Sequence, residues 1–97
     1  MTRDEILRKL EENRETIRGF DVRSLGIFGS YAREEQSEAS DMDFLVEFDR
    51  ATFDNYFDLK FFLEDLFGRK VDLVIKDTIK PRIRSTILEE TVYAQGL

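Results

Sequence analysis

The sequence of 97 residues contains neither cysteine nor histidine. Without cysteine the chain can form no disulfide bond and no thiolate metal site. Without histidine it lacks the commonest general base and the commonest zinc ligand. Any acid–base or metal chemistry therefore depends on aspartate and glutamate carboxylates, of which the chain has 21.

Long apolar runs are also missing from the sequence. No segment approaches the length of a membrane span, and the first five residues, Met-Thr-Arg-Asp-Glu, do not have the character of a signal peptide. A chain of this length forms one domain with one core. We therefore expect a single domain over residues 1–97, located in the cytoplasm and with no membrane association.

The chain has fewer positive than negative side chains, 15 against 21, which gives a net charge of −6 at pH 7. This excess of negative charge argues against direct nucleic-acid binding over a broad surface. Residues 1–67 carry nine Lys or Arg against seventeen Asp or Glu, whereas residues 68–97 carry six against four. The basic side chains of this tail, Lys76, Lys80, Arg82 and Arg84, could receive a phosphate or an acidic partner, although a solvated helix face is the simpler interpretation.

An acidic strand is predicted over residues 41–48. Apolar residues alternate there with polar ones, except at Leu45, which is the pattern of a strand with one buried face. Asp41 and Asp43 therefore lie on the same face, roughly 6.6 Å apart by the rise of a strand. Two carboxylates held on one side of a strand repel each other unless a cation lies between them. Hard divalent ions such as Mg²⁺ prefer oxygen ligands, so this strand predicts a metal site.

A glycine and a serine form the second notable feature. They follow an apolar strand predicted over about residues 22–28, and a short helix is predicted from Ser30 to Gln36. The N-terminus of a helix favours phosphate, Gly29 lets the backbone approach a ligand closely, and Arg33 lies one turn further on. We predict a phosphate-binding turn made of Gly29, Ser30 and Arg33. A side chain at Gly29 is expected to block the phosphate and to leave the core intact.

A third carboxylate, Asp72, interrupts the apolar run from Val71 to Ile75, which predicts another strand. A lone aspartate in a buried strand costs several kcal/mol unless it is paired or bound to a metal. If this strand lies beside the acidic strand, Asp72 joins Asp41 and Asp43 as a third carboxylate. The alternative is an Asp72 that lies in water at the edge of the sheet.

The order of the predicted elements indicates the fold class. The remaining elements are helices over about residues 2–18 and 53–67, a last helix from Pro81 onward, and a tail, 91–94, compatible with a short strand. The helix over 53–67 has apolar and aromatic residues on more than one side, so it is either buried twice or available to a partner. We expect an α/β (α+β) domain: a small mixed β-sheet with helices packed on one face and the carboxylate cluster open on the other.

Three stretches carry a resemblance to a known family. They are residues 28–33 (Phe-Gly-Ser-Tyr-Ala-Arg), 40–46 (Ser-Asp-Met-Asp-Phe-Leu-Val) and 68–74 (Gly-Arg-Lys-Val-Asp-Leu-Val). Together they resemble the minimal nucleotidyltransferases that act as antitoxins beside HEPN-domain toxins, a branch of the DNA polymerase beta-like nucleotidyltransferases. The resemblance covers nearly the whole chain. One departure is Glu34, which stands where relatives often have glycine and adds negative charge near the expected phosphates.

The resemblance implies a nucleotidyltransferase fold and a set of roles for these residues. Asp41 and Asp43 would hold two Mg²⁺ ions, or Mn²⁺ in their place, and Asp72 would complete one site and accept the proton of the attacking hydroxyl. Gly29 and Ser30 would hold the β- and γ-phosphates of ATP, and pyrophosphate would leave. The implied reaction transfers AMP to a tyrosine hydroxyl of a cognate HEPN ribonuclease toxin and inactivates it.

Two other functions are compatible with the same residues. A non-catalytic antitoxin could mask its toxin by direct binding, although the complete set of carboxylates argues against an inactive fold. An antibiotic nucleotidyltransferase is a third alternative. Such enzymes use a second domain to shape the acceptor pocket, and the 97 residues of this sequence hold one domain only.

Overall fold

The computed structural model describes all 97 residues of the protein, which fold into five α-helices, one 3₁₀ turn and four strands. The helices are α1 (Arg3–Glu12), α2 (Arg14–Arg18), α3 (Gly29–Ala32), α4 (Phe53–Phe67) and α5 (Pro81–Glu90), and the strands are β1 (Val22–Phe28), β2 (Met42–Phe48), β3 (Val71–Ile75) and β4 (Val92–Tyr93), with the 3₁₀ turn at Lys76–Thr78. No helix combines the length and the apolar character that crossing a membrane requires.

The four strands form one sheet in the spatial order β3-β2-β1-β4. Strand β1 pairs antiparallel with β2 and β4, whereas β2 and β3 run parallel. Parallel neighbours need a crossover connection, and α4 provides it. The mixed sheet predicted from the sequence is therefore confirmed, and β2 occupies one of its two central positions.

The first predicted helix is interrupted in the structure. Helix α1 begins at the expected capping box, in which the Glu5 amide donates to the Thr2 hydroxyl (3.2 Å) and the Thr2 amide donates to the Glu5 carboxylate (3.1 Å). The prediction of a single helix to about residue 18 is wrong, because Asn13 leaves the helical conformation. Its side-chain amide donates to the backbone carbonyl of Lys9 (2.8 Å), a local hydrogen bond that competes with the helix ladder.

Helix α3 is shorter than the predicted helix from Ser30 to Gln36, since it ends at Ala32. Glu34 adopts a left-handed conformation with φ 59°, and the Glu35 amide donates to the Ser30 carbonyl (2.8 Å) to close the helix. Glycine takes this conformation at the least cost. The backbone at this position therefore explains why relatives often have glycine here, and Glu34 brings backbone strain as well as negative charge.

The main core lies between the sheet and α1, α2 and α4. Its fully buried members include Ile6 and Leu10 of α1, Phe44 and Val46 of β2, and Leu63 of α4. Helices α1, α2 and α4 thus cover one face of the sheet as predicted, whereas the prediction that the other face carries no helix is wrong, because α5 packs there.

The opposite face of the sheet is covered in part by α5. A second, smaller cluster joins Phe28, Leu45 and Ile79, with Ile87 and Leu88 of α5 packed against it. The acidic strand was predicted to bury one face only, but Leu45 on its other face is 1% exposed. Strand β2 is thus buried on both faces, and its Asp43 lies on the α5 side by alternation.

Candidate active site

Three chain segments meet at one end of the sheet. In the register of the strands, Asp43 of β2 lies opposite Phe28 on one side and opposite Asp72 on the other. Phe28 leads directly into Gly29, which begins α3. A Cβ atom at Gly29 would overlap the Asp43 Oδ2 atom and lie 3.0 Å from its Cγ atom. The predicted phosphate turn and the predicted metal strand are therefore in direct contact.

The three predicted carboxylates differ in their exposure. Asp41 lies one residue before β2 and is exposed, while Asp43 within the strand is half-buried. Asp72 is also exposed, because β3 is an edge strand of the sheet. The expectation that Asp72 is enclosed by apolar residues is thus wrong, whereas its expected position beside Asp43 is correct. An exposed Asp72 is open to an incoming substrate.

The electrostatics of this cluster are centred on Asp43. The pKa of Asp43 is raised from its ordinary value of 3.8 to about 6, first by burial and then by the nearby charges of Asp72, Asp41 and Glu90, in that order, while Arg33 lowers it. Removing a carboxylate from water and surrounding it with other carboxylates both disfavour its ionised form. A cation among these groups would reverse that effect.

This raised pKa makes a testable contribution to stability. Folded Asp43 holds its proton up to a higher pH than the unfolded chain does, so its contribution to the free energy of unfolding falls as the pH rises from about 4 to about 6. The whole shift corresponds to about 3 kcal/mol. Because the carboxyl is only half-buried and solvent screens it, we expect about 1 to 2 kcal/mol.

Asp43→Asn removes this titration. Without divalent cations, we expect the variant to equal wild type in unfolding free energy near pH 4. Near pH 7 we expect it to exceed wild type by about 1 to 2 kcal/mol, as measured by urea unfolding at each pH. A difference that is constant between these pH values would show that the carboxyl does not titrate in this range.

The donor set fits a hard divalent cation. Asp41, Asp43 and Asp72 offer only oxygen atoms, which suit Mg²⁺ or Mn²⁺ better than Zn²⁺. No three carboxylates of the chain already form a metal-binding cluster. A cation at this site would therefore have to draw these side chains together, which the exposed positions of Asp41 and Asp72 permit.

The predicted phosphate donors bind a carboxylate in this structure. The Gly29 amide donates to Glu90 Oε1 (2.9 Å), and Arg33 Nη1 donates to Glu90 Oε2 (3.0 Å). Arg33 also reaches Glu35 (3.4 Å), and Ser30 is half-buried beside Gly29. No side chain caps α3 in the usual manner. The Gly29 amide and the Arg33 guanidinium thus both donate to one carboxylate, while their binding of phosphate stays a prediction.

Glu90 was not identified from the sequence. It lies at the C-terminal end of α5 and reaches Gly29 across 61 residues of chain. The pairing of β4 with β1 holds this end of α5 in place, and Gly26 makes the approach possible, since a Cβ there would lie 2.8 Å from the Val92 carbonyl oxygen. No local pattern signals such a contact.

Gly29 has a second structural role that the sequence did not reveal. Its φ of 73° is in the left-handed region, and its Cα faces the Asp43 carboxylate. Besides blocking phosphate, as expected, any side chain here would strain the backbone and displace Asp43.

Comparison with known proteins agrees with this geometry. Residues 4–94 match the family model described as the nucleotidyltransferase domain. The protein adenylyltransferase MntA of Thermococcus cleftensis is 41% identical over 95 residues, which cover 96% of this chain and 96% of that protein. The solved structure of a candidate minimal nucleotidyltransferase is 34% identical, covers 95% of each chain and has a TM-score of 0.74.

A more distant match is a chain from the structure of a tri-AMPylated Shewanella oneidensis HEPN toxin in complex with an MNT antitoxin. It covers 94% of this chain and 73% of that one, with a TM-score of 0.65 and 17% identity, so the similarity is one of fold. The family model spans nearly the whole chain, and the MntA relative aligns along nearly all of both proteins. These matches confirm the resemblance found in the sequence, and this chain belongs to the nucleotidyltransferase domain family.

Proposed function

We propose that this protein is an antitoxin enzyme that transfers AMP from ATP to a tyrosine hydroxyl of a HEPN-domain toxin and so inactivates it. The observation that carries the proposal is the contact between Gly29 and Asp43, with Asp72 alongside. The Gly29 turn favours anions and the carboxylate cluster favours cations. The two are in direct contact, because Gly29 lies against the Asp43 carboxylate. Phosphoryl and nucleotidyl transfer need this combination.

Each residue then has a role in the reaction. The tyrosine oxygen attacks the α-phosphorus of ATP, the bond from that phosphorus to the bridging oxygen breaks, and pyrophosphate leaves. Asp72, which is exposed and adjacent to Asp43, accepts the tyrosine proton. Gly29, Ser30 and Arg33 bind the phosphates, and Asp41 and Asp43 hold the divalent cations. When bound, Mg²⁺ supplies charge neutralisation at the phosphate oxygens.

The relatives support the substrate and the partner. The MntA relative is a protein adenylyltransferase, and the toxin in the solved complex carries AMP. The test is to incubate HEPN-domain toxins of the source organism with this protein, ATP and Mg²⁺ and to measure the intact mass of each toxin. AMP-sized increments that require both ATP and Mg²⁺ are expected. A neutralised toxin of unchanged mass would contradict AMP transfer.

One observation favours the second candidate function, a masking antitoxin. Three phenylalanines, Phe53, Phe57 and Phe61, form an aromatic row along α4, with ring centroids 4.6 Å and 5.9 Å apart. Phe53 is 77% exposed and Phe61 56% exposed. Exposed aromatics are enriched where proteins meet. The two functions are separated by a catalytically inactive variant, since masking alone would survive the loss of chemistry.

Glu90 provides a further prediction about ATP. Its carboxylate occupies the Gly29 amide and the Arg33 guanidinium, which the proposal assigns to phosphate. Glu90→Gln keeps the size of the side chain and removes its charge. We expect this variant to bind ATP more tightly, on the order of tenfold, because the charged Glu90 carboxylate no longer competes with phosphate for these two donors.

Isothermal titration with ATP in the absence of toxin measures this change. Glu89→Gln is the matched control, because Glu89 is an exposed neighbour for which the structure shows no hydrogen bond to the site. Weaker ATP binding by Glu90→Gln would contradict the prediction and would mean that Glu90 holds Arg33 in place for the nucleotide.

A further inference from the structure

An open groove runs between β3 and α5 on the face of the sheet that carries Asp43. It encloses about 420 Å³. Most of its lining is apolar and includes Phe28 of β1, Val74 of β3 and Ile83 of α5. Ile83 is 44% exposed, so its side chain is accessible on the wall of the groove. The interior of the groove is therefore only partly filled by the protein itself.

The groove leads directly to the candidate active site. Asp72 forms part of its wall and is the register partner of Asp43. At the same end, Phe28 directly precedes Gly29. A side chain that enters the groove with a polar tip would therefore place that tip beside Asp72.

The rim of the groove is basic. Lys80 and Arg82 line it, both are exposed, and neither forms a salt bridge within the chain. Arg84, by contrast, is engaged, because its guanidinium donates to the Lys76 carbonyl (3.1 Å). Two unpaired cations beside an apolar groove, in a chain with a net charge of −6, select for an acidic segment.

The groove suits an aromatic ring better than a nucleotide base. The one uncharged polar side chain in its lining, Thr78, already donates its hydroxyl to the Ile75 carbonyl (2.8 Å). The other polar groups of the lining, Asp72, Lys80 and Arg82, are charged and lie at the wall and rim, so a base inserted among the apolar side chains would leave part of its polar edge unpaired, which is costly. A phenol ring has apolar faces and one hydroxyl, and Asp72 can accept from that hydroxyl.

We propose that this groove, the acceptor groove, binds the tyrosine side chain that receives AMP, with acidic residues of the same toxin segment at Lys80 and Arg82. The proposal rests on the proposed function and extends it, since it assigns the surface that selects the acceptor. The covalent step is the one already described. The aromatic row of α4 lies on a helix that packs against the other face of the sheet and is not part of this groove.

Two variants test the acceptor groove. Ile83→Ser removes the apolar wall at a partly exposed position, and Lys80→Glu/Arg82→Glu reverses the charge of the rim at exposed positions. We expect each to raise the KM for the toxin about tenfold or more while the Kd for ATP stays within about twofold, because a lost ground-state contact acts on KM. Lys80→Arg/Arg82→Lys should restore the wild-type KM.

Arg8→Glu is the matched control for the rim, since it reverses a charge at an exposed position on α1, and Ile83→Leu is the control for the wall, since it keeps the side chain apolar. Circular dichroism and thermal unfolding establish that every variant folds. Groove variants that modify the toxin as wild type does would overturn the acceptor groove and leave the proposed function standing. A parallel loss of ATP affinity would instead assign the groove to the nucleotide base. A wild-type protein that transfers no AMP would overturn the proposed function, and the acceptor groove with it.

Discussion

Asp43→Asn is expected to abolish AMP transfer, by about a thousandfold or more, and to leave the folded protein at least as stable as wild type. Asp43 is the middle member of the carboxylate cluster, with Phe28 and Gly29 on one side and Asp72 on the other. Loss of a metal ligand removes several kcal/mol of transition-state stabilisation, and about 1.4 kcal/mol corresponds to a factor of ten in rate.

Stability should move in the opposite direction for a physical reason. The Asp43 carboxylate is half-buried and faces Asp72, Asp41 and Glu90, so its charge opposes folding when no cation is bound. An asparagine amide occupies the same space without that charge. Most point mutations destabilise a protein, so a variant that loses activity without losing stability points to the chemistry of the site.

Three measurements make this prediction specific. Intact mass of the toxin reports AMP transfer, Mn²⁺ titration reports the metal site, and urea unfolding reports stability. Asp41→Asn should also weaken Mn²⁺ binding, whereas Asp58→Asn on α4 is an exposed control with the same chemical change and no place at the site. Full toxin neutralisation by the Asp41→Asn/Asp43→Asn double variant, with no added mass for it or for wild type, would establish masking as the mechanism.

Much of the fold is encoded in short-range patterns of the sequence. The alternation of Met42, Phe44 and Val46 correctly predicts β2, because side chains two apart lie on the same face of any strand. The long helix α4 extends from Phe53 to Phe67 as predicted, since Thr52 caps its first turn (3.1 Å to the Asn55 amide) and Gly68 ends it with φ 63°.

Other features depend on contacts that a local pattern cannot specify. By alternation Leu45 lies on the polar face of β2, and it is buried because α5, which begins 36 residues further along the chain, covers it. The apolar residues next to Asp72 in the sequence predict that it is buried. It is exposed because β3 lies at the edge of the sheet. At the break, the Asn13 side chain donates to the Lys9 carbonyl, a local hydrogen bond that the spacing of apolar residues does not indicate.

The candidate site likewise combines features that local motifs predict with features that depend on distant elements. The local motifs around Gly29 and Asp43 predicted a phosphate turn and a metal strand, and the antiparallel pairing of β1 with β2 brings them together. Glu90 could not be predicted, because its place at the Gly29 amide results from the path of α5 and β4 around the sheet. Motif analysis does not detect a group that a distant element supplies, even when that group contacts the central residue of the motif, as Glu90 contacts Gly29.

Gly29→Ala is expected to remove AMP transfer and Mn²⁺ binding together, at a cost in stability of only about 1 to 2 kcal/mol. The cost arises because φ is 73° at this position and an L-residue in the left-handed region is strained by about that amount. The functional loss arises because the new methyl group would overlap the Asp43 Oδ2 atom, so that the carboxylate must turn away. Phosphate approach is blocked by the same methyl group.

Gly68→Ala separates the strain from the function. Gly68 has a φ of 63°, similar to that of Gly29, but a Cβ there would meet nothing within 4 Å. We expect both variants to lose similar amounts of unfolding free energy, since the backbone penalty is common to both, and only Gly29→Ala to lose activity. Urea unfolding, Mn²⁺ titration and intact-mass assays on the two proteins provide the comparison. Equal activity in both would show that Asp43 can leave its position beside Gly29 without consequence, and the contact on which the proposed function depends would then have no catalytic role.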